Sequence, residues 1–537
     1  MKEDNLQFSI ENSRTGHPTL KYGENYIHSK YDPIKEGENL VSKVNFSNIS
    51  CIIVFGMGLG YHITPLLIYD RIKIIIIEKN PSIIEALKQS NRLECFSNTK
   101  LFLGDIRQLE NWIFQLIDEE ESNSIFFYDH QPSVNLDKEY YENAKKMVNN
   151  ILKIKLQSYF TTLGFSKRWH ENSIKNLKHL FSFHTLNKKV NLPIFIIGSG
   201  PSLDFHLENL YEIKNRGIII ALSPVYHRLI EIGIDANFVI STDGGVANRI
   251  HIQPQDKLSE NTVPITTLSA TPYIFRLWNR EKLLINHELP FEKHLFKNIP
   301  SIPMHGSVAS AAFLLSQILT TGDIFLIGLD FAMPDNKYHF KGNRLEDYIL
   351  YSNRKIKPFD TCFYQLISKF KNVMVQNQYG KMIKTNYAMQ SYLNWFKNVI
   401  ANSKQPVYTV NHKGAFIENA IPTGYNDIKK AIKPFHKSFN AKSILKPFTE
   451  LDYSNIYAKL NRLVKDYQKI EIDVSKNTNW DFNEILNPDL KSMLTFSESR
   501  LVNKVKKNKI LFSEDRKELV ISLERTVNLL KDVIFKL

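Results

Sequence analysis

The chain has 537 residues, with 69 Lys and Arg against 55 Asp and Glu and a formal net charge of +14. Domains usually hold roughly 100 to 200 residues, so this length excludes a single hydrophobic core, and ordinary contents of hydrophobic (43%) and charged (23%) residues exclude a largely disordered chain. Acidic residues are interspersed with the basic ones almost throughout, so we expect a basic surface that attracts anionic small molecules and no nucleic-acid partner.

The amino-terminal sequence is polar and lacks the basic-then-apolar pattern of a signal peptide. No apolar run approaches the roughly 20 residues that a bilayer-spanning helix needs. The cysteines Cys51, Cys95 and Cys362 are too few and too widely spaced for a disulfide framework or a zinc site. We therefore expect a cytoplasmic protein that is not an integral membrane protein.

Residues 1–45 form a predicted N-terminal segment, and residues 46–145 form a predicted Rossmann-like domain. In this domain the strand Cys51–Phe55 runs into the turn Gly56-Met57-Gly58-Leu59-Gly60, and the next strand ends on Glu78. Rossmann-like domains hold a nucleotide or S-adenosylmethionine with such a turn and such an acid. Glycines also serve simply to pack a helix against a strand, so a ligand site and a purely structural domain both stay open.

Helical spacing over residues 146–190 predicts a connector that leads into a central domain at 191–430. The apolar run Ile194–Ile197 is typical of a parallel strand that is covered on both faces. Further strands alternate with helical segments and favour a layered α/β fold. These strands are predicted at Gly217–Leu222, Phe238–Ser241, Ile265–Leu268, Lys282–Ile285, Asp323–Ile327 and Pro406–Val410. Residues 431–537 predict a helical C-terminal domain without strands.

The segment Gly198-Ser199-Gly200-Pro201-Ser202 directly follows the Ile194–Ile197 strand. Its glycines allow the backbone to approach a ligand, and its free amides can bind phosphate oxygens. Ser199 and Ser202 add two hydroxyl groups. A turn that only reverses the chain is the alternative, but two hydroxyls among small residues at the end of a strand favour a phosphate-binding loop.

Three more element ends carry small polar residues. Ser223 and Asp243 follow the next two strands, and Gly306 and Ser307 open a predicted helix. Ligands bind at the carboxyl edge of open α/β sheets, and a helix N-terminus favours an anion. We therefore assign all four residues to the same binding site as the loop. Asp243 can bond a ribose or sugar hydroxyl, hold a divalent metal ion, or serve only as a turn cap; a lone acid predicts no metal site.

The predicted strand Asp323–Ile327 brings Asp330 to this edge, and a loop with Tyr338, His339 and Lys341 follows. An imidazole titrates near neutral pH, so His339 can accept a proton from an acceptor hydroxyl. Tyr338 and Lys341 can stabilise a departing phosphate. Each side chain alone is more typical of an ordinary surface residue, and only the position of the loop after Asp330 makes these residues catalytic candidates.

Several short motifs occur in a fixed order along the chain. They are His28-Ser29-Lys30-Tyr31-Asp32-Pro33, Gly56-Met57-Gly58-Leu59-Gly60-Tyr61-His62, the Gly198–Ser202 loop, Gly328-Leu329-Asp330 with His339, Gly380-Lys381-Met382-Ile383-Lys384-Thr385, and Asn411-His412-Lys413-Gly414-Ala415. Over about 20–430 this order resembles the motility-associated factor (Maf) flagellin glycosyltransferases. The resemblance implies transfer of a nonulosonic acid, pseudaminic or legionaminic acid, from its CMP-sugar to Ser or Thr hydroxyls of flagellin in the cytoplasm, for flagellar assembly and motility.

The central domain is also similar to bacterial sialyltransferases that use CMP-sialic acid. The matching motifs are Gly198–Ser202, Gly306–Val308 and Gly328–Phe331. This similarity implies that the CMP-sugar is a substrate, that no cofactor is required, and that Tyr338 assists the leaving phosphate. The histidine base of those enzymes follows a glycine corresponding to Gly380, where this chain has Lys381. His339, Asp330 or Asp243 can serve as the base instead.

Two other functions fit the same residues. Related archaeal proteins with a Gly-x-Gly-Pro-Ser loop resemble pterin diphosphokinases, which transfer pyrophosphate from ATP, although those chains are much shorter. The lack of a histidine after Gly380 also allows a non-catalytic protein that only binds flagellin or a nucleotide sugar.

Overall fold

A computed structural model describes residues 8–46, 49–119, 121–252, 258–351, 353–355, 358–368, 372–410, 413–435, 439–477, 480–508 and 512–537. Asn411 and His412 of the last motif lie outside these residues. The chain forms two compact units, Met1–Thr162 and Leu163–Leu537.

The first unit contains a three-stranded antiparallel sheet and a four-stranded parallel sheet. Its strands are β1 (Phe8–Asn12), β2 (Pro18–Tyr22), β3 (Asn25–Tyr26), β4 (Cys51–Phe55), β5 (Lys73–Glu78), β6 (Lys100–Leu103) and β7 (Ile125–Asp129). Its helices are α1 (Pro33–Val41), α2 (Ile83–Gln89), α3 (Ile106–Leu116) and α4 (Gln131–Val134). A long helix, α5 (Lys138–Asn176), begins in this unit and ends in the second.

The parallel sheet has the strand order β6-β5-β4-β7 and is buried on both faces. Side chains alternate along a strand, so Ile52 and Val54 pack in one hydrophobic cluster while Ile53 and Phe55 pack in the other. This arrangement confirms a Rossmann-like N-terminal fold. The short strands β1–β3 were not predicted from the polar N-terminal segment.

The glycine-rich turn after β4 is closed by side chains of its own unit. The Glu78 carboxylate accepts a hydrogen bond from the Met57 amide at 2.8 Å, and His28 Nε2 accepts one from the Leu59 amide at 2.7 Å. A Cβ atom on Gly60 would lie 2.2 Å from the Phe96 ring. Because these side chains use the amides that a ligand phosphate would need, the structure favours the structural interpretation of this turn.

The second unit is built on a ten-stranded sheet with the order β18-β17-β14-β9-β10-β11-β12-β13-β8-β19. Its strands are β8 (Phe183–Leu186), β9 (Ile194–Ile197), β10 (Ile218–Leu222), β11 (Phe238–Ile240), β12 (Val263–Thr266), β13 (Lys282–Leu284), β14 (Ile324–Ile327), β17 (Val407–Val410), β18 (Ile421–Pro422) and β19 (Leu445–Pro447). A separate antiparallel hairpin consists of β15 (Asn372–Gln376) and β16 (Met382–Asn386).

Neighbouring strands of the ten-stranded sheet are parallel except β19, which pairs antiparallel with β8. The expectation that strands stop after residue 430 is therefore wrong at β19. That strand is only three residues long, Leu445–Pro447, too short to show a periodic pattern. The other predicted strands of this unit are present, with bounds that differ by at most two residues.

This unit contains helices, and hydrophobic clusters that include helical residues lie on both faces of the sheet. The helices are α6 (Leu207–Ile213), α7 (Ser223–Glu231), α8 (Pro272–Leu277), α9 (Pro290–Leu295), α10 (Val308–Leu319), α11 (Arg344–Tyr351), α12 (Phe359–Ser368), α13 (Tyr387–Ala401), α14 (Tyr425–Ala431), α15 (Glu450–Lys476), α16 (Pro488–Ser497), α17 (Ser499–Asn508) and α18 (Ser513–Lys536). Leu460 of α15 and Leu519 of α18 belong to the same hydrophobic cluster as Phe195 of β9. The helical C-terminal region is thus confirmed, and it packs on the sheet.

Within the described parts of the chain, no helix is both long and apolar enough to cross a membrane.

Candidate active site

The Gly198–Ser202 loop lies where β9 and β14 end side by side. The Gly200 amide donates to the Gly328 carbonyl oxygen at 2.8 Å. A Cβ atom on Gly198 would lie 2.5 Å from that oxygen, and one on Gly200 would lie 2.4 Å from Asp330 Oδ2. Only glycine fits at these two positions, because any side chain would collide with the neighbouring strand end. The glycines therefore allow two strand ends to approach each other. The amides of Gly198, Gly200 and Ser202 donate to acceptors within the protein, so the expectation that these amides are free for a phosphate is wrong.

Asp330 is buried beneath this loop. Its Oδ2 atom accepts a hydrogen bond from the Ser202 amide at 2.6 Å, and only 3% of the residue is exposed. Burial raises the pKa of the Asp330 carboxyl to about 6, although hydrogen bonds from Ser202 oppose the shift. The carboxylate thus fixes the shape of the loop and is a positioning group for it.

The loop that carries Tyr338 and His339 is bonded to the same segment. The Phe340 amide donates to the Ser199 carbonyl oxygen at 3.2 Å, and the Lys341 amide donates to Asp204 Oδ1 at 2.9 Å. Lys341 itself is exposed. These bonds bring the predicted acid–base candidates against the predicted phosphate-binding loop.

His339 is half-buried, and its tautomer follows from its contacts. Its Nδ1 atom lies 3.1 Å from the carbonyl oxygen of Ser199 and 3.1 Å from Ser199 Oγ. A carbonyl oxygen only accepts hydrogen bonds, so Nδ1 carries the proton and Nε2 keeps a lone pair. Burial, together with the nearby His251, lowers the pKa of His339 to about 4. The ring is therefore neutral at pH 7 and can accept a proton at Nε2.

Tyr338 is half-buried beside His339, with the two ring centroids 4.8 Å apart. Burial raises the pKa of Tyr338, and a hydrogen bond from the Asn386 side chain opposes that rise. Asn386 also caps α13, since its Oδ1 atom accepts from the Met389 amide at 2.9 Å. An amide that donates to the phenol oxygen leaves the Tyr338 hydrogen available for a ligand.

Tyr392 of α13 completes this group and was missed in the sequence. A Cβ atom on Gly306 would lie 3.3 Å from its ring. Burial, and then the neighbouring Tyr338 and Asp243, raise the pKa of Tyr392. Tyr392 is therefore close to Gly306, Tyr338 and Asp243, three residues that the sequence analysis had assigned to the site only because each follows a strand or opens a helix. Its position within the helix that follows the Gly380–Thr385 motif was the one available signal.

The remaining predicted residues occupy element ends at the same edge. Ser223 is the first residue of α7, directly after β10, and it is buried. Ser307 caps α10 by accepting a hydrogen bond from the Ala309 amide at 3.2 Å. Pro201 begins the 3₁₀ turn that follows Gly200.

Asp243 acts as a turn cap. Its Oδ1 atom accepts a hydrogen bond from the Gly245 amide at 2.7 Å. Burial raises the pKa of the Asp243 carboxyl, and the Gly245 hydrogen bond and the positive charge of Arg168 oppose this rise. Arg168 was not predicted as part of this edge. In the described ranges, no set of three or more His, Cys, Asp or Glu side chains with metal-binding spacing lies at this site.

The Gly380–Lys381 pair lies in the turn of the β15–β16 hairpin. Asn377 Oδ1 accepts from the Tyr379 and Lys381 amides at 3.0 and 2.9 Å, and Gly380 has a φ of 76°. Lys381 is exposed there. The position at which the sequence similarity implied a histidine base is thus a tight turn in this chain.

The fold defines an α/β protein, and these residues form a candidate site at the carboxyl edge of its large parallel sheet. A family model described as 6-hydroxymethylpterin diphosphokinase MptE-like matches residues 171–336, which contain most of this edge. A solved structure, a MAf glycosyltransferase from Magnetospirillum magneticum AMB-1, is similar over 99% of this chain and 92% of that chain, with a TM-score of 0.57 and 13% sequence identity. No curated protein matches the chain. The predicted resemblance to Maf is therefore confirmed in the fold.

Proposed function

We propose that the chain is a cytoplasmic glycosyltransferase that moves a nonulosonic acid, of the pseudaminic or legionaminic type, from a CMP-sugar to Ser or Thr hydroxyls of flagellin. The observation that carries this proposal is the pairing of His339 with the Gly198–Ser202 loop. A neutral imidazole with a lone pair on Nε2 lies directly against this loop at the carboxyl edge of the sheet. The Maf fold supports the same activity.

In this proposal the donor lies along the carboxyl edge of the sheet. The Gly198–Ser202 loop, Ser223 and Ser307 bind the phosphate and cytidine, and the net charge of +14 attracts the anionic donor. Tyr338 donates its hydrogen to the departing phosphate, with Tyr392 beside it. The CMP-sugar is a substrate, and the proposal requires no cofactor.

The proposed reaction uses these groups in the following roles. His339 Nε2 takes the proton of the acceptor hydroxyl as its oxygen attacks the anomeric carbon. The bond between that carbon and the phosphate oxygen breaks, and CMP leaves with the bonding electrons, its charge stabilised by Tyr338. Attack opposite the leaving group inverts the anomeric centre. Asp330 acts through the Ser202 amide and does not touch the reacting atoms.

The test is transfer to flagellin by the purified full chain. Unmodified flagellin is incubated with CMP-pseudaminic or CMP-legionaminic acid, and its intact mass is measured. We expect a mass increase of one or more sugar residues, absent with CMP alone and greatly reduced with His339→Gln. An unchanged flagellin mass while the donor stays intact and the protein stays folded would overturn the proposal.

A second candidate function is favoured by the family model over residues 171–336, namely a pyrophosphoryl transfer of the pterin diphosphokinase type. This function would require ATP, and its product would be AMP together with a diphosphorylated pterin alcohol. Magnesium-dependent AMP release with 6-hydroxymethylpterin, and no thermal stabilisation by CMP, would favour it. Stabilisation by CMP without AMP release favours the glycosyltransferase.

A further inference from the structure

Three buried histidines meet in the first unit, behind the glycine-rich turn. His28 follows β3, His62 follows the turn, and His130 follows β7. Each is at most 3% exposed. The His130 ring lies between the other two, with centroids 4.8 Å from His28 and 4.0 Å from His62. Three separate segments of the chain thus bring imidazoles to one interior point.

The hydrogen bonds of two of these rings leave lone pairs without a partner. His62 Nε2 lies 3.2 Å from the Gly56 carbonyl oxygen and donates to it, so Nδ1 keeps its lone pair. His130 Nδ1 lies 2.7 Å from Ser133 Oγ, and the lone pair is on Nε2 in the tautomer whose Nδ1 donates to that oxygen. Both His62 Nδ1 and His130 Nε2 are buried and have no hydrogen-bond partner. Buried lone pairs of this kind are costly unless something binds them.

The third ring has a different bonding pattern. His28 Nε2 accepts from the Leu59 amide at 2.7 Å, and its Nδ1 lies 3.9 Å from Glu36 Oε2. One ring nitrogen from each of the three histidines lies within 4.8 Å of the others. Imidazole suits borderline divalent ions, and zinc-binding histidines commonly donate their second nitrogen to a carbonyl or another oxygen.

We propose that His28, His62 and His130 form a binding site for a divalent transition-metal ion such as Zn²⁺, with His62 Nδ1 and His130 Nε2 as ligands. The site lies outside the candidate active site and does not depend on the proposed function. The His62 and His130 rings are nearly parallel, at 7°. Binding at about 2.0–2.1 Å therefore requires one ring to turn about its Cβ–Cγ bond, and His28 becomes the third ligand by releasing the Leu59 amide.

The test begins with the wild-type full chain, stripped with a chelator and then dialysed against zinc or cobalt. We expect one equivalent of bound metal by elemental analysis, a melting temperature that rises with zinc concentration, and a visible absorption band with cobalt. His62→Gln and His130→Gln should lose the bound metal. The matched control is His170→Gln, because His170 is also buried and has an unpartnered ring nitrogen but lies in the second unit. It should retain one equivalent.

The absence of stoichiometric metal in the wild-type chain would overturn the proposal. Retention of the metal by folded His62→Gln and His130→Gln would also overturn it. If both variants fail to fold, X-ray absorption of the zinc-loaded wild type decides. Imidazole scattering from three rings supports the site, whereas sulfur ligands or fewer imidazoles contradict it.

Discussion

His339 Nδ1 lies 3.1 Å from the carbonyl oxygen of Ser199, so a backbone atom of the Gly198–Ser202 loop sets the tautomer of the proposed base. The Ser199 hydroxyl, which is also 3.1 Å from Nδ1, is not required for this effect. In the proposed function, the geometry of this loop and proton acceptance by His339 are coupled through this contact.

The first prediction separates these two roles of Ser199. Ser199→Ala keeps the carbonyl contact and should reduce kcat less than about 10-fold, whereas His339→Gln removes the proton acceptor and should reduce it roughly 10²- to 10⁴-fold. Single-turnover transfer rates give both values. His179→Gln is the control, since the pKa of His179 is likewise lowered to about 4 but the residue lies at a different place in the fold. An equal loss in Ser199→Ala and His339→Gln would contradict the tautomer argument.

A second prediction concerns the charge state of His339. Its pKa of about 4 in the free protein should rise when an anionic nucleotide binds, because a nearby negative charge favours the imidazolium form. NMR titration of labelled histidine with and without CMP measures the shift. The transfer rate should fall as the pH falls through the pKa of the bound state. If saturating CMP leaves the pKa of His339 unchanged, the phosphate of CMP does not bind beside His339.

The third prediction tests the contact between the two strand ends. Gly198→Ala places a Cβ atom 2.5 Å from the Gly328 carbonyl oxygen, and the required backbone shift should cost about 1–3 kcal/mol of unfolding free energy and weaken CMP binding. Gly164→Ala is the matched control. Gly164 lies in α5 with open space around it, so alanine there should stabilise the chain by up to about 1 kcal/mol. Urea unfolding and calorimetry check both.

The fourth prediction uses the buried carboxyl of Asp330. Its pKa of about 6 exceeds the ordinary value of 3.8, so the folded state favours the protonated form. The preference of the folded state for the protonated carboxyl stabilises the protein fully below about pH 4. The free energy of unfolding then falls by about 3 kcal/mol as the pH rises through about 6. Asp330→Asn should remove that decline while keeping an acceptor for the Ser202 amide. Asp330→Ala should instead be less stable at every pH by about 1–3 kcal/mol, because the amide loses its partner.

The fifth prediction concerns the two tyrosines. Tyr338→Phe and Tyr392→Phe should each lower kcat roughly 10- to 100-fold with little effect on unfolding, if their hydroxyls bind the leaving phosphate. Tyr425→Phe is the control, because its buried hydroxyl has no hydrogen-bond partner and its loss should leave kcat unchanged. Equal kcat values for all three variants and the wild type would show that the hydroxyls of Tyr338 and Tyr392 take no part in the reaction.

The fold was largely predictable because buried strands have strong local signals. The run Ile194–Ile197 was predicted with its observed bounds, and every residue in it is buried on a two-faced sheet. The strand predicted at Ile265–Leu268 lies two residues earlier, at Val263–Thr266, and its ladder to β13 ends at Thr266. Strand β19 forms because it pairs with β8, which is far away in the sequence. A single sequence does not reveal that pairing.

The candidate site was predictable where it follows strands and less so elsewhere. Strand order alone brought the Gly198–Ser202 loop, Asp243 and Asp330 to one edge. The inward direction of the Asp330 carboxylate depends on the close approach of Gly200, which is a tertiary contact. Tyr392 reaches the site from a helix face, and no motif marks that side chain.

The hydrogen bond between Ser202 and Asp330 joins residues that are 128 positions apart in the chain. During synthesis at about 5–20 residues per second, the Gly198–Ser202 segment therefore leaves the ribosome roughly 6 to 25 s before the residue that fixes its shape. Such non-local pairing is slow to form, because the intervening chain must be ordered first. Completion of the binding edge should thus be a late step in folding, reached only after strands β10 to β13 have been made.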